Sequence, residues 1–251
     1  MAGHSKWANI KHRKGAQDAK RSKIFTRIIK ELTIATKEGG EEIEGNPRLK
    51  TAIQNAKGAN MPKDTIQRAI EKGGRSNTIN YTDVSFEGYG SNGVAIFVEC
   101  TTDNNNRTVA NIRAIFNKYG GTLGTNGSLE FIFERKGVFI VTKDSISLDI
   151  EEFEMELIDC GLEELQKEKT IVFIYTDFAN FSNMQKKLEE LNVTIESAKL
   201  ERIPNNTKKL NLESAKSILK MIDAFDDDED VQNIFHNLEM TDELMSILNP
   251  K

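Results

Sequence analysis

Between Gln17 and Lys37 the apolar residues Ile24, Phe25, Ile28, Ile29, Leu32 and Ala35 recur every three or four positions. At about 100° per residue they fall within one arc of roughly 140°. Lys20, Lys23, Arg27, Lys30 and Lys37 fall on the opposite side. The spacing predicts a helix that buries one face and turns a basic stripe to solvent. Glu38-Gly39-Gly40 ends it, because glycine accepts the left-handed cap. A second helix is expected from Asn46-Pro47 to Gly58: Asn is a good N-cap, and Pro fits the first turn, where its missing N–H has no helical partner. Its inner face is Leu49, Ala52, Ile53 and Ala56. A third, Lys63–Lys72, ends at Gly73-Gly74 with Ile66, Ala69 and Ile70 inward. Asp64 in its first turn and Lys72 in its last suit the helix dipole.

Residues 75–85 are polar and irregular and read as a linker or edge segment. The period then changes. Gly93–Glu99 is a β-branched, apolar run expected to form a buried strand, followed by the polar turn Thr102–Asn106. Arg107–Lys118 is a predicted helix with Val109, Ile112, Ile115 and Phe116 inward, stopped by Gly120-Gly121. Leu129, Phe131 and Phe133 alternate as in a strand over Ser128–Phe133, and Gly137–Thr142 reads as another strand. A similar cycle follows: helix Asp149–Leu157, strand Thr170–Tyr175, helix Phe178–Leu191, strand Val193–Arg202. Pro204-Asn205-Asn206 breaks the chain before a helix over Glu213–Phe225 and a short apolar segment, Val231–Leu238. The expected class is α+β: an N-terminal three-helix domain followed by two ferredoxin-like α/β domains. The corresponding boundaries are 1–75, a discontinuous domain of 76–134 with 205–251, and an inserted domain of 135–204.

Charge changes the picture. The 251-residue chain has a net charge of −5. Residues 1–75 hold seventeen Lys and Arg against eight Asp and Glu, a net of +9, which leaves −14 for the remainder. Such a split implies that one end meets a polyanion and the body avoids it. No run approaches the roughly 18 apolar residues of a membrane span, and the start lacks the apolar core of a secretory signal, so a cytoplasmic, membrane-free protein is expected. Cys100 and Cys160 lie far apart, without metal-ligand spacing, and read as small packed residues.

The candidate interface is the basic arm and helix stripe: Lys6, Lys11, His12, Arg13, Lys14, Lys20, Arg21, Lys23, Arg27 and Lys30. Only Asp18 and Glu31 interrupt the cations of residues 1–37. Lysine and arginine displace condensed counterions from nucleic acid, which gives sequence-independent affinity. Trp7 either stacks on an unpaired base or packs on the helices. Thr102, Asp103, Asn104, Asn106 and Arg107 lead from a strand into a helix. That helix start suits a phosphate with Arg107 assisting, although the spacing alone favours plain capping. His4, His12 and His236 do not make a zinc set. Gly120–Gly124 follows a helix, where a dinucleotide loop must follow a strand. Asp226–Asp230 lacks the order of an EF-hand and reads as a solvated loop. No serine-elbow, Walker or zincin motif is present, so neither an enzyme, a cofactor nor a small-molecule substrate is expected.

The strings MAGHSKWANIKHRKGAQDAKRSKIF (1–25), NPRLKTAIQNAKGANMPKDTIQRAIEKG (46–73), FEGYGSNGVAIFVECTTDNNNRTVANIRAIFNKYGGTLG (86–124) and DDDEDVQNIFHNLEM (226–240) resemble the YebC family of bacterial proteins, whose mitochondrial relative is a translational activator of cytochrome c oxidase. The likeness spans nearly the whole chain. Ser22 stands where the family usually has Gly, and Phe86 and Phe235 where it commonly has Tyr. The resemblance implies three domains, the two α/β ones around a cleft and the middle one discontinuous. It also implies DNA binding and transcriptional regulation for bacterial members, and for others a role in translation that includes relief of ribosomes stalled at proline runs. Two partners therefore stand at this point: DNA, or rRNA in the ribosome. The helices carry no clear helix-turn-helix signature, which weakens sequence-specific duplex recognition. A basic arm with one aromatic equally suits structured or unpaired RNA.

Overall fold

The computed structural model describes residues 18–75 and 80–248, with side chains from 21 to 246. The basic arm, with Lys6, Trp7, Lys11, His12, Arg13 and Lys14, lies outside the described residues, as does the side chain of Lys20. The described residues fall into two compact units. One lies within Asp18–Thr78 and Arg135–Glu201, the other within Ile79–Glu134 and Arg202–Lys251.

The first unit begins with α1 (Asp18–Gly39), α2 (Pro47–Gly58) and α3 (Lys63–Gly74). Leu32, Ala35, Leu49, Ala52, Ile53, Ala56, Ile66, Ala69 and Ile70 make their shared core. Asn46 does more than cap. Its Oδ1 accepts from Leu49 N at 3.0 Å, and its Nδ2 donates to Ala35 O at 2.7 Å and Gly40 O at 2.9 Å. One buried amide thus fixes the end of α1 against the start of α2. Thr33 and Thr36 are buried, and each hydroxyl donates back to the carbonyl four residues earlier. A Cβ at Gly73 would stand 2.6 Å from Thr33 O, so only glycine lets α3 close on α1 here.

The rest of this unit is a four-stranded sheet of β4 (Phe133–Thr142), β5 (Leu162–Lys167), β6 (Ile171–Asp177) and β7 (Ile195–Pro204), in the order β5-β6-β4-β7. Helices α5 (Ile150–Ile158) and α6 (Phe181–Glu190) cover one face through Phe153, Leu157, Met184 and Leu188, packed on Phe139, Val141, Val172 and Ile174. Strand, helix, two strands, helix, strand is the ferredoxin-like chain path.

Helix α2 seals the β7 edge of this sheet. The Asn55 side chain donates to Ala198 O at 2.8 Å and accepts from Ala198 N at 2.7 Å, as a neighbouring strand would. Gln185 donates to Gln54 at 2.7 Å, Thr51 bonds Gln185 at 2.9 Å, and Lys50 pairs with Glu189 at 2.7 Å. A Cβ at Gly58 would lie 1.9 Å from Glu196 O, so the helix end and the strand touch backbone to backbone.

The second unit has a sheet ordered β3-β1-β2-β8, from β1 (Thr82–Tyr89), β2 (Ala95–Thr102), β3 (Thr122–Leu123) and β8 (Val231–His236). Strands β1 and β2 form a hairpin, and β8 pairs antiparallel with β2. Helices α4 (Asn105–Lys118) and α7 (Leu212–Asp226) cover one face, with Ile112, Phe116, Ile218, Ile222 and Phe225 against Phe86, Ile96, Val98 and Ile234. The layers match those of the first sheet, but the chain enters by its central hairpin. Ala95, Phe97, Leu129, Phe133 and Phe235 make a smaller core on the other face. The chain continues into α8 (Asp242–Leu248).

Residues 82–85 open β1, the edge segment of the two alternatives rather than the linker: Thr82 and Asp83 are exposed, while Val84 and Phe86 pack inward. One expectation needs correction. Ser128–Phe133 is not a strand. It is a turn up to Ile132, with Leu129 buried and Phe131 74% exposed. The cause is Glu87, only 3% exposed, whose carboxylate accepts from Gly127 N at 2.7 Å and Leu129 N at 2.6 Å. Those bonds bend the chain, and Gly127 takes a φ of 84° there. No helix among the described residues is long and apolar enough to cross a membrane.

Candidate nucleic-acid interface

Helix α1 carries the described part of the basic stripe. Arg21 and Lys37 are exposed, while Lys23, Arg27 and Lys30 are half-buried, less open than a solvent-facing stripe would be. Arg21 stacks on Phe25 with its guanidinium 5.3 Å from the ring centre, and it donates to Asn60 O at 3.4 Å.

The acids of this helix are held from within. Arg48 of α2 grips Glu31 through two bonds, 2.7 and 3.0 Å, and Glu38 at 2.8 Å. A forked guanidinium matches a carboxylate pairwise, so Arg48 spends its charge on Glu31 and Glu38. The carboxylates of Glu31 and Glu38 on α1 are thereby held by a cation of α2. Arg48 was not legible as part of the site; Arg48 and Glu31 are seventeen residues apart, too far for any helix-period rule.

The loop from β2 into α4 brings together Thr102, Asp103, Asn104 and Arg107, with Asn106 exposed on the first turn of the helix. Asn104 caps α4 by accepting from Arg107 N at 3.1 Å, and Thr102 Oγ1 accepts from Asn104 N at 2.9 Å. The Arg107 guanidinium lies 2.8 Å from Asp103 and 2.8 Å from Asp230. Asp230 is 5% exposed and also meets the Thr108 hydroxyl at 2.9 Å. These carboxylates hold the Arg107 guanidinium further above its ordinary range, Asp230 first and Asp103 next. Burial, reinforced by the Asp103 and Asp230 charges, pushes the Tyr81 phenol up. A phosphate at this helix start would compete with two carboxylates for one arginine, so the geometry is that of a cap and a structural ion pair.

Asp230 is therefore no part of a solvated acidic loop. Asp226 closes α7, Asp228 Oδ1 accepts from Asp230 N at 2.9 Å, and Asp230 turns inward to Arg107. Its sequence neighbours gave no hint, because the partner is 123 residues away. Cys100 is buried in the second unit's core, and Cys160 is half-buried beside α5. His236 is buried on β8.

Residues 5–76 match a family model described as the TACO1/YebC protein N-terminal domain, and residues 81–238 match one described as the TACO1/YebC second and third domain. A protein of Amoebophilus asiaticus named "Probable transcriptional regulatory protein" is 50% identical over 240 residues, 95% of this chain and 98% of that one. A protein of Syntrophotalea carbinolica with the same name is 49% identical over 98% of each chain. The crystal structure of a conserved hypothetical protein from Aquifex aeolicus superposes with a TM-score of 0.79 at 39% identity, covering 90% of this chain and 93% of that one.

Proposed function

The chain belongs to the TACO1/YebC family, and from that premise we propose that it is a DNA-binding regulator of transcription whose N-terminal region grips the phosphate backbone. The observation that carries this reading is the segregation of charge: +9 over residues 1–75 and −14 over the rest. Residues 135–201 and residues 79–134 with 202–251 each hold a net −7, so neither α/β portion invites a polyanion. The names of the relatives in Amoebophilus and Syntrophotalea supply the process, regulation of transcription. Arg21, Lys23, Arg27 and Lys30, with Lys20 and the arm cations Lys6, Lys11, Arg13 and Lys14, contact phosphates. Trp7 and His12 lie among them in sequence. The acidic body orients the protein by repulsion and leaves its own surface for other partners. The reading requires no catalytic residue and no cofactor.

The test is immunoprecipitation of the crosslinked protein from growing cells, with sequencing of both DNA and RNA. Enrichment of discrete DNA segments, lost in a Lys11→Glu/Arg13→Glu/Lys14→Glu variant of equal abundance, is the expected result. Recovery of ribosomal RNA with no DNA above that variant's background would contradict it.

A further inference from the structure

Helix α5 buries one face and turns to solvent another that breaks two local rules at once. Phe153 and Leu157 enter the sheet core and are fully buried. On the far side Met155 is 62% exposed and Ile158 58%. At about 100° per residue the two lie about 60° apart, one turn after the other, so they make a single apolar spot rather than two scattered residues.

The spot is set among carboxylates. Glu152 and Asp159 flank it on the Met155 side, Glu154 flanks it on the Ile158 side, and Glu151 stands one turn before Met155. Among the described residues none of these four is in an ion pair, whereas Glu156, further round the helix, is held by Lys187. Glu151 and Glu152 have a local reason to be there, because acids in the first turn suit the helix dipole. Asp159 has the opposite. It closes the helix, whose last turn holds no cation, at the end where the dipole disfavours negative charge. Exposed apolar side chains and a disfavoured carboxylate both cost the fold on its own. A partner that brings an apolar stripe with cations at its margins offsets both.

We infer that the outer face of α5 docks a basic amphipathic helix of a partner protein. Its apolar stripe covers Met155 and Ile158, and its lysines or arginines meet Glu152 and Asp159 on one margin and Glu154 on the other. Charge selects this occupant. Residues 135–201 carry a net −7, which repels nucleic acid, anionic lipid and a second copy of the same face alike. Met155 suits the role, because its unbranched, polarizable side chain adapts to the surface it meets. Two anchors make a small contact, so the affinity leans on the charged margins and falls with salt. No cation of α1 takes part, and the docking is independent of DNA binding.

The probes are two idealised amphipathic peptides of about 18 residues, or five helical turns, with the same leucine stripe, one flanked by lysines and the other by glutamines. Their binding to the full chain is read by fluorescence anisotropy. The lysine peptide should bind, and the glutamine peptide about tenfold more weakly. Lysine-peptide affinity should fall about tenfold on Met155→Ser/Ile158→Ser, which removes the anchors, and on Glu152→Lys/Asp159→Lys, which reverses one margin. Glu130→Lys/Glu213→Lys makes the same change of charge on exposed residues of the second unit and should bind the peptide as wild type does. Met155→Ser/Ile158→Ser should keep the wild-type affinity for duplex DNA and, both anchors being exposed, the wild-type unfolding midpoint. Should that midpoint fall, the two charge-reversal variants decide. A lysine peptide that fails to bind, that binds the serine variant as well as wild type, or that both charge-reversal variants weaken equally would overturn the inference. So would self-association in sedimentation equilibrium that the serine variant abolishes, because the occupant would then be a second copy. Loss of duplex affinity in the serine variant would overturn it too, since α5 would then belong to the nucleic-acid interface.

Discussion

Glu87 and Asn55 show how much of the structure hangs on single polar side chains that are fully engaged. Glu87 is buried on β1 and accepts from two backbone N–H groups of the 127–129 turn. Glu87→Ala leaves the buried Leu129 N–H without its partner, and an unsatisfied buried group costs about 1–3 kcal/mol. A loss of about 2 kcal/mol in urea unfolding is expected, and a change below about 0.5 kcal/mol would mean that the turn holds itself. Asn55→Ala exposes the β7 edge in the same way, since both Ala198 groups lose their partner. About 2 kcal/mol is expected there, with faster hydrogen exchange at Ala198 as the specific sign. Tyr81 offers a pH test. Burial first, and then Asp103 and Asp230, raise its pKa above the ordinary 10.0. The unfolded chain ionises at lower pH than the folded one, so stability falls as pH rises from the ordinary value through the folded one. Tyr81→Phe should flatten that part of the stability–pH curve, and an identical curve would remove the phenol from the network.

Among the elements, what was legible in the sequence was local. The caps of α2 and α4 are single Asn residues, Asn46 and Asn104, that bond a backbone N–H three positions on, and such signals sit within one turn of the chain. Residues 128–133 were misread because their state is set from far away. The Leu129, Phe131, Phe133 alternation mimics a strand, yet a carboxylate forty residues earlier bends the segment. Strand β5, Leu162–Lys167, is rich in helix formers and gave no strand signal; it is extended because β6 lies beside it. Of the candidate site, the cations were legible as a cluster, whereas the engagement of Arg107 by Asp230 and of Glu31 by Arg48 required the fold. Gly58 is the element-scale test of how α2 meets the sheet. A Cβ there meets the Glu196 carbonyl at 1.9 Å, which only a backbone shift can relieve. Gly58→Ala should therefore destabilise by about 2 kcal/mol or more despite alanine's better helix propensity. A stabilised variant would show that α2 moves freely on β7.

Across the whole molecule the governing feature is the separation of charge between an N-terminal region of +9 and a remainder of −14. The mean pI of 5.5 describes neither part. Beside the cationic residues of α1, Arg48 of α2 holds the carboxylates of Glu31 and Glu38. The quantity to measure is the affinity of the full chain for a labelled DNA duplex over a range of potassium chloride concentrations, by fluorescence anisotropy. Phosphate contact predicts a straight fall of log affinity with log salt, with a slope near −0.9 for each neutralised phosphate and so about −8 when all nine cations proposed above reach phosphates. Lys11→Glu/Arg13→Glu/Lys14→Glu should weaken binding and make the slope shallower by roughly three. Binding that is indifferent to salt, or a variant that binds duplex as wild type does, would contradict a phosphate-gripping N-terminal region.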